Sequence, residues 1–248
     1  MDLHKAFDTV RWSFLLALLF QLGFPPQFID WIRTCISTPK YSININGELV
    51  GFFGAKRGLR QGDPLSPYLF TIVMDALSML ISKNIEEQRL MGLPFDYHWR
   101  CQKTDLTHLC FADDLLLFCG GSMASVELLH NSLQKFYSLS GLLPNEGKSN
   151  VFVAGRHPRF LEKVRNLFQF QVGELPMRYL GVPLISTKLT ASNCKPLVDR
   201  ILSRVSSWTA RFLSFAGRLQ LIKSVLYGIQ SFWNGLFILP KDITRHIE

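Results

Sequence analysis

Apolar positions along the chain recur with two different periods, and clusters of Gly and Pro separate the segments in which each period holds. Residues 12–22 are mostly apolar and predict a helix. Gly23 ends this helix, and Pro25 and Pro26 prevent its continuation. Residues 26–37 predict a second, shorter helix.

A β-hairpin is predicted after these two helices. Residues 41–45 alternate between apolar and polar with period two, and residues 48–53 return with strand-forming side chains. Asn46 and Gly47 lie between them, and this pair is a strong signal for a two-residue turn.

The stretch KRGLRQGDPLSP, residues 56–67, is rich in Gly and Pro and predicts a loop that leads into a helix. Ser66 is expected to be the N-cap of that helix, with Pro67 in its first turn. Six apolar residues then fall on one helical face: Phe70, Val73, Met74, Leu77, Leu80 and Ile81.

The stretch FADDLLLF places two aspartates inside an apolar sequence. Residues 107–112 and 115–119 predict two strands, with Asp113 and Asp114 at the turn between them. Burying an unpaired carboxylate costs several kcal/mol, and an adjacent like charge adds repulsion. A bound divalent cation would remove that penalty. The alternative is an ordinary exposed turn, where Asp is common.

Helical and strand patterns continue to the end of the chain. Ser122 is expected to cap a helix that ends at Gly141, with Val126, Leu129, Leu133 and Phe136 facing inward. Residues 150–153 predict a strand. Residues 178–184 predict a short hairpin around Gly181, and the pattern is helical from Leu189 onward, including residues 214–229. Mixed elements followed by helices alone indicate two lobes, with a boundary near residues 170–188.

Composition indicates a globular protein, with 48% hydrophobic and 19% charged residues among 248. The longest apolar run, residues 14–20, is far shorter than the roughly 20 residues of a spanning helix, so no membrane segment is expected. Five cysteines without a CxxC pair suggest free thiols in a reducing compartment. Cys101, His108 and Cys110 lack a fourth zinc ligand and fit no common zinc spacing.

The net charge of +8 is concentrated in one segment. Residues 1–155 carry 13 Lys and Arg against 14 Asp and Glu, whereas residues 156–223 carry 12 against 3. A basic stretch of this density is typical of a surface that follows phosphates, and equally of a solvated basic face.

Two further features bear on the aspartate pair. Asp2 precedes Phe7 by five residues, a spacing that could set a carboxylate at a strand end and an aromatic ring in the following turn. The alternative is a strand end followed by a helix that Asp8 caps. Arg60 and Gln61 could approach phosphates or base edges, or belong to a plain connecting loop.

Five stretches together resemble the reverse transcriptases of non-LTR, LINE-type retroelements, in the same order and approximate spacing: MDLHKAFD, GLRQGDPLSPYLF, FADDLLLF, GLLPNEGKS and YLGVPL. The resemblance covers nearly the whole chain and implies an α+β fold. A right-hand polymerase palm, an antiparallel sheet packed on helices, would occupy residues 1–184, and a basic helical thumb-like segment residues 185–248.

The resemblance implies an RNA-directed DNA polymerase that adds dNTPs to a primer 3′-hydroxyl by two-metal phosphoryl transfer. Its implied cofactors are two Mg²⁺ ions, for which Mn²⁺ can substitute. Its implied partners are an RNA template, a DNA primer, their hybrid and dNTPs. The basic segment would hold the hybrid backbone, which predicts steep salt dependence of binding.

The resemblance also assigns roles to individual residues. The catalytic, metal-holding residues are Asp2, Asp113 and Asp114, with Asp113 matching the direct metal ligand, and Lys148 matches a lysine at the leaving pyrophosphate. Phe7 matches the aromatic that excludes a ribose 2′-hydroxyl. The other nucleotide- and template-binding residues are Arg60, Gln61, Gly62 and Pro64. The primer-positioning residues are Tyr179, Leu180 and Gly181.

In this family a palm strand and the fingers precede the residue matched by Asp2, so the chain is expected to be truncated at its N-terminus, with the fingers missing. Asp2 would then lack a strand to hold it, since chain ends are usually mobile. Catalytic groups must be held to within about 0.5 Å. The isolated chain is therefore expected to be weakly active or inactive.

Two other functions remain as alternatives. A non-catalytic nucleic-acid-binding relic of a retroelement would bind hybrid with salt-sensitive affinity and without metal dependence. A different two-metal enzyme, such as a nuclease, would share the aspartates, but Phe7 and Gln61 have no evident role in hydrolysis. The sequence specifies neither an oligomeric state nor a compartment.

Overall fold

The computed structural model describes residues 1–153, 155, 158–185, 188–207 and 213–247. These residues form two compact units, Met1–Gly173 and Glu174–Glu248. The break between the units falls inside the boundary region expected from the sequence pattern, although the predicted palm domain extends further, to residue 184. Residues 208–212 of the expected helical segment lie outside the described residues.

Helices dominate the first unit, and most of them begin and end where local sequence signals predict. The Ser122 hydroxyl accepts a hydrogen bond from the Ser125 amide at a helix start, and Gly141 adopts φ 80° at the end of the same helix. Both predictions are confirmed. The helices are α1 Ala6–Thr9, α2 Trp12–Gln21, α3 Pro26–Ser37, α4 Ser66–Leu90, α5 Met123–Ser140 and α6 Pro158–Phe168.

Among the described residues, the strands of this unit pair in two-stranded ladders and not in one larger sheet. Single bridges join Asp2 to Asp114 and Leu3 to Pro144. These two bridges place the first residues of the chain between Asp114 and Pro144. The strands are β1 Lys40–Ile45, β2 Glu48–Gly54, β3 His108–Phe111, β4 Asp114–Leu117, β5 Asn150–Val151 and β6 Gln171–Val172.

The core of the first unit lies where α4 packs on α5 and α2. Burial of these side chains is the main source of stability, about 1.5–3 kcal/mol for each fully buried large apolar side chain. Five of the six residues predicted for the inner face of α4 are buried, and Leu80 is half-buried. The largest fully buried side chains of this unit are Phe136, Leu3, Leu15, Leu19, Leu77, Ile81, Leu115, Leu133, Leu142, Val10 and Val73.

Helix α4 differs from its prediction at its first residue. Ser66 is not an N-cap but the first helical residue, and its hydroxyl donates to the Arg60 carbonyl oxygen at 2.6 Å. The helix is 25 residues long and, by length and composition alone, could cross a membrane. Core helices share these properties, and the buried residues of α4 belong to the core of the first unit.

The hairpin of β1 and β2 is confirmed, but its side chains remain largely outside the core. Every residue of β2 is exposed, including Phe52 and Phe53. Ile43 and Ile45 of β1 are also more than half exposed. The hairpin is thus a two-stranded ribbon with apolar side chains in contact with solvent.

The second unit combines a short hairpin with helices and has its own small core. Strands β7 Met177–Tyr179 and β8 Val182–Leu184 form the hairpin that the sequence predicts around Gly181. A π-helical turn, Ile222–Leu226, joins α8 to α9. The helices are α7 Ala191–Ser207, α8 Phe215–Leu221, α9 Tyr227–Leu236 and α10 Lys241–Ile247. The core residues are Val182, Cys194, Leu197, Ile201, Trp233 and Ile243.

Candidate active site

The two adjacent aspartates lie at the tip of the β3–β4 hairpin, one in the turn and one in a strand. Phe111 pairs with Asp114, so the turn consists of Ala112 and Asp113, with Ala112 at φ 52°. The prediction placed both acids in the turn and was wrong for Asp114, which begins β4. Both aspartates are half-buried, whereas Leu115 and Leu116 are buried. The apolar strand therefore enters the core while its acidic end remains accessible.

Asp2 lies directly across from Asp114 in an antiparallel bridge. The Leu115 amide donates to the Met1 carbonyl oxygen at 2.9 Å, and the Met1 nitrogen donates to the Leu115 carbonyl oxygen at 2.8 Å. Residues opposite each other in an antiparallel pair project to the same face. The backbone thus brings the carboxylates of Asp2 and Asp114 to one side of the hairpin.

Electrostatics at this position disfavour a charged Asp114. Burial raises the pKa of the Asp114 carboxyl, and the negative charges of Asp113 and Asp2 raise this pKa further, while the Met1 amine lowers it. All three carboxylates therefore contribute to one region of negative potential, which a divalent cation would relieve.

The other edge of Asp2 contacts the segment from Pro144 to Ser149. The side-chain amide of Asn145 donates to Oδ2 of Asp2 at 3.0 Å, and the backbone N–H of Asn145 donates to the Asp2 carbonyl oxygen at 2.8 Å. Nζ of Lys148 is 3.8 Å from the same Oδ2. The expectation that Asp2 has no strand to hold it is thus wrong, because this segment and β4 hold its backbone from both sides.

The donor set of Asp2, Asp113 and Asp114 suits a hard divalent cation, because Mg²⁺ prefers carboxylate oxygens. Across the described ranges, however, no three His, Cys, Asp or Glu side chains stand close enough to hold a metal as placed. Oδ2 of Asp2 faces Asn145 and Lys148. The carboxylates fit a metal in their chemistry and in the positions of their backbones.

Phe7 lies on α1 and is held by an aromatic stack. The centroid of its ring lies 4.6 Å from that of Phe70, with an interplanar angle of 20°. Phe70 belongs to α4, so this helix supports the Phe7 ring. Asp8 lies within α1 and does not cap the helix, whose N-cap is Lys5. The reading of Asp8 as a cap is therefore wrong.

The loop that contains Arg60 and Gln61 packs closely on α1. The Gly58 amide donates to the Val10 carbonyl oxygen at 2.8 Å, and the Leu59 amide donates to the Phe7 carbonyl oxygen at 2.6 Å. The side-chain amide of Gln61 is 3.5 Å from Oδ1 of Asp8, a long contact. The loop residues predicted to bind nucleotide and template are exposed: Arg60, Gln61, Gly62 and Pro64.

Strand β3 is attached to α4 through a histidine that sequence reasoning considered only as a metal ligand. Nε2 of His108 lies 2.7 Å from the Ser78 hydroxyl, and Nδ1 lies 2.8 Å from the Thr107 hydroxyl. His108, Cys101 and Cys110 form no metal group among the residues described. The role of His108 is to connect the aspartate hairpin to the core helix.

This contact predicts a pH-dependent stability. Burial lowers the pKa of His108, with Asp75 opposing the shift. The contribution of His108 to stability is therefore present above the unfolded-state pKa of about 6.5 and is lost as the pH falls through the folded-state pKa. We expect the Tm of the wild-type chain to fall between pH 8 and pH 5, and His108→Gln to reduce this fall in scanning calorimetry.

The control for this experiment is His4→Gln, because His4 is exposed and the substitution removes a histidine without altering the core. An equal pH dependence of Tm in the wild type and in His108→Gln would show that His108 does not carry the effect.

Tyr179, Leu180 and Gly181 belong to the second unit and form the tip of the β7–β8 hairpin. Leu180 and Gly181 have φ angles of 52° and 83°, which is the geometry of a tight two-residue turn. In the first unit, the structure brings together Asp2, Asp113, Asp114 and Lys148, and packs the Phe7 helix against the Gln61 loop. Sequence reasoning missed Asn145, for which the turn-forming sequence PNEGKS was the available signal.

Comparison with known proteins gives a consistent result. The family model described as "Reverse transcriptase (RNA-dependent DNA polymerase)" matches residues 1–184. The chain is 30% identical over 208 residues to a retrovirus-related Pol polyprotein from the type-2 retrotransposable element R2DM of Drosophila melanogaster, covering 80% of this chain and 18% of that protein. It is 26% identical over 232 residues to an uncharacterised 149 kDa protein of transposon TX1 from Xenopus laevis, covering 91% and 17%. The chain thus spans less than a fifth of the length of these relatives.

Proposed function

Because this chain belongs to the reverse transcriptase (RNA-dependent DNA polymerase) family, we propose that it carries the part of such an enzyme that adds deoxynucleotides to a primer 3′-hydroxyl on an RNA template. One observation carries the proposal. Asp2 and Asp114, far apart in sequence, oppose each other across a β-bridge, with Asp113 in the adjoining turn. Strand ends hold catalytic groups more accurately than free loops do.

Asp2, Asp113 and Asp114 would hold two Mg²⁺ ions through their carboxylate oxygens. When bound, such ions lower the pKa of the attacking hydroxyl and offset the charge on the leaving pyrophosphate. Mn²⁺ would replace Mg²⁺, because both accept oxygen ligands in similar geometry.

The remaining residues would bind and orient the reactants. Phe7 would exclude a ribose 2′-hydroxyl, and its stack on Phe70 supports this role because the ring cannot easily move aside. Lys148, whose side chain is 73% exposed, would be available to the leaving pyrophosphate. The loop of Arg60, Gln61, Gly62 and Pro64 would contact the template and the incoming nucleotide.

The proposed partners are an RNA template, a DNA primer and dNTPs. The concentration of basic residues at 156–223 supports binding of a hybrid through its phosphates. The hairpin of Tyr179, Leu180 and Gly181 would position the primer end. We propose a palm over residues 1–184 and a thumb-like helical segment over 185–248.

The test is primer extension by the purified chain on an RNA template with a radiolabelled DNA primer. We expect weak dNTP incorporation that requires Mg²⁺ or Mn²⁺ and stops with chelator. Salt-sensitive hybrid binding without any metal-dependent extension would favour the nucleic-acid-binding relic instead. Metal-dependent shortening of the primer without extension would favour a nuclease.

A further inference from the structure

We propose that Asn145 is a positioning residue for the metal-holding carboxylate of Asp2, fixing Oδ2 so that Oδ1 is presented to a divalent cation. The inference rests on the proposed function and assigns to Asn145 a task that the resemblance did not. Asn145 acts through Asp2 and is not itself a ligand in this proposal.

The contact between the two residues is double. The side-chain amide reaches Oδ2 of Asp2 at 3.0 Å, and the backbone N–H reaches the Asp2 carbonyl oxygen at 2.8 Å. Both distances are within the normal range for N–H···O bonds. One residue therefore fixes the main chain and the carboxylate of a residue 143 positions away.

Asn145 is itself held in place by a compact turn. Its carbonyl oxygen accepts hydrogen bonds from the backbone amides of Lys148 at 3.1 Å and Ser149 at 2.9 Å. The residue before it, Pro144, bridges to Leu3, which is buried. These contacts hold the backbone of Asn145 in place, with its side-chain amide beside the Asp2 carboxylate.

Lys148 cannot perform the same task. Its Nζ lies 3.8 Å from Oδ2 of Asp2, beyond hydrogen-bond distance, and its side chain is 73% exposed. Exposed ion pairs are worth about 0–1 kcal/mol and impose little geometry. Within the part of the chain that the structure describes, no hydrogen bond engages Oδ1 of Asp2, which leaves this oxygen available to a cation.

The expected effect follows from the behaviour of groups that orient metal ligands. Removing such a partner typically costs about 10–100-fold in metal affinity or activity. Asn145→Ala removes the amide while keeping the backbone hydrogen bond to Asp2. We expect its Mn²⁺ affinity and its kcat each to fall by about 10–100-fold. The KM values for dNTP and for template–primer should change little, because Asn145 contacts neither.

The experiment titrates Mn²⁺ into the purified chain by electron paramagnetic resonance and measures kcat and KM in parallel. Asn145→Leu repeats the loss of the donor with a side chain of similar size, and Asn145→Gln, which keeps an amide, should recover part of the affinity. The control is Asn150→Ala, since the Asn150 amide donates to the exposed Lys148 turn and not to Asp2. Thermal unfolding of each variant verifies that it is folded.

Wild-type Mn²⁺ affinity and kcat in a folded Ala or Leu variant would overturn the inference. Failure of the proposed function has a different signature: the wild-type chain would neither bind Mn²⁺ nor extend a primer. An effect of Asn145→Ala on KM alone would also overturn the inference, because it would place Asn145 at the substrate.

Discussion

Asp113→Asn is expected to abolish metal-dependent primer extension, lowering kcat by more than about 100-fold. Loss of a residue that only orients a metal ligand costs up to about 100-fold, and loss of a ligand should cost more. Asn has nearly the same shape as Asp, so the two-residue turn with Ala112 is preserved. What is lost is one negative charge and one strong oxygen ligand at the hairpin tip. The measurement is single-nucleotide incorporation under saturating dNTP and primer, with bound Mn²⁺ counted separately.

Asp105→Asn is the matched control for this experiment. Asp105 is an exposed aspartate shortly before β3. Its substitution by Asn removes one negative charge, as Asp113→Asn does, but away from the bridge between Asp2 and Asp114. Extension by Asp113→Asn at the rate of Asp105→Asn would remove Asp113 from the chemistry and would leave the polymerase proposal without its main carboxylate.

Gly58→Ala is expected to have the largest effect on stability. A Cβ at this position would lie 2.6 Å from the Asp8 carbonyl oxygen, and Gly58 adopts φ +91°. The left-handed conformation costs a non-glycine residue about 1–2 kcal/mol, and overpacking adds about 1–3 kcal/mol. Relief of the overlap would separate the loop from α1 and break the bond from the Trp12 indole to the Gly58 carbonyl oxygen. Urea unfolding should therefore show a loss of roughly 2–5 kcal/mol.

Gly92→Ala separates the two contributions. Gly92 has φ +78° at the end of α4, and a Cβ there meets no atom within 4 Å. Ala at this position therefore has the conformational cost but no overlap with other atoms, and we expect the free energy of unfolding to fall by only about 1–2 kcal/mol. Equal destabilisation by the two substitutions would mean that the loop adapts to Ala and that its close approach to α1 is not required.

Local sequence signals predicted the elements of this protein well because caps, turns and apolar periodicity act over a few residues. Asn46-Gly47, Ser122 and Gly141 each mark a turn or helix end that the structure confirms. The short hairpin around Gly181 follows the same logic. The failures at this level concern single positions, such as Ser66, which is the first helical residue and donates its hydroxyl to the Arg60 carbonyl oxygen instead of accepting a hydrogen bond as an N-cap.

The candidate site was predicted less completely because its contacts join distant parts of the chain. No local pattern indicates that Asp2 bridges Asp114 or that Asn145 bonds Asp2. The prediction that position 2 is unsupported failed for this reason, since its partners lie more than a hundred positions away. The resemblance to a family identified the three aspartates, but only the structure identified the residues that contact them.

The ribbon of β1 and β2 also bears on how this protein behaves in the test tube. Among the described residues no further strand pairs with its two outer edges, and these edges and the exposed Ile, Val and Phe side chains are a template for strand addition between molecules. A net charge of +8 opposes such aggregation at low salt, but added salt screens that repulsion. Salt titrations of nucleic-acid binding must therefore separate weakened phosphate contacts from self-association that begins at this ribbon.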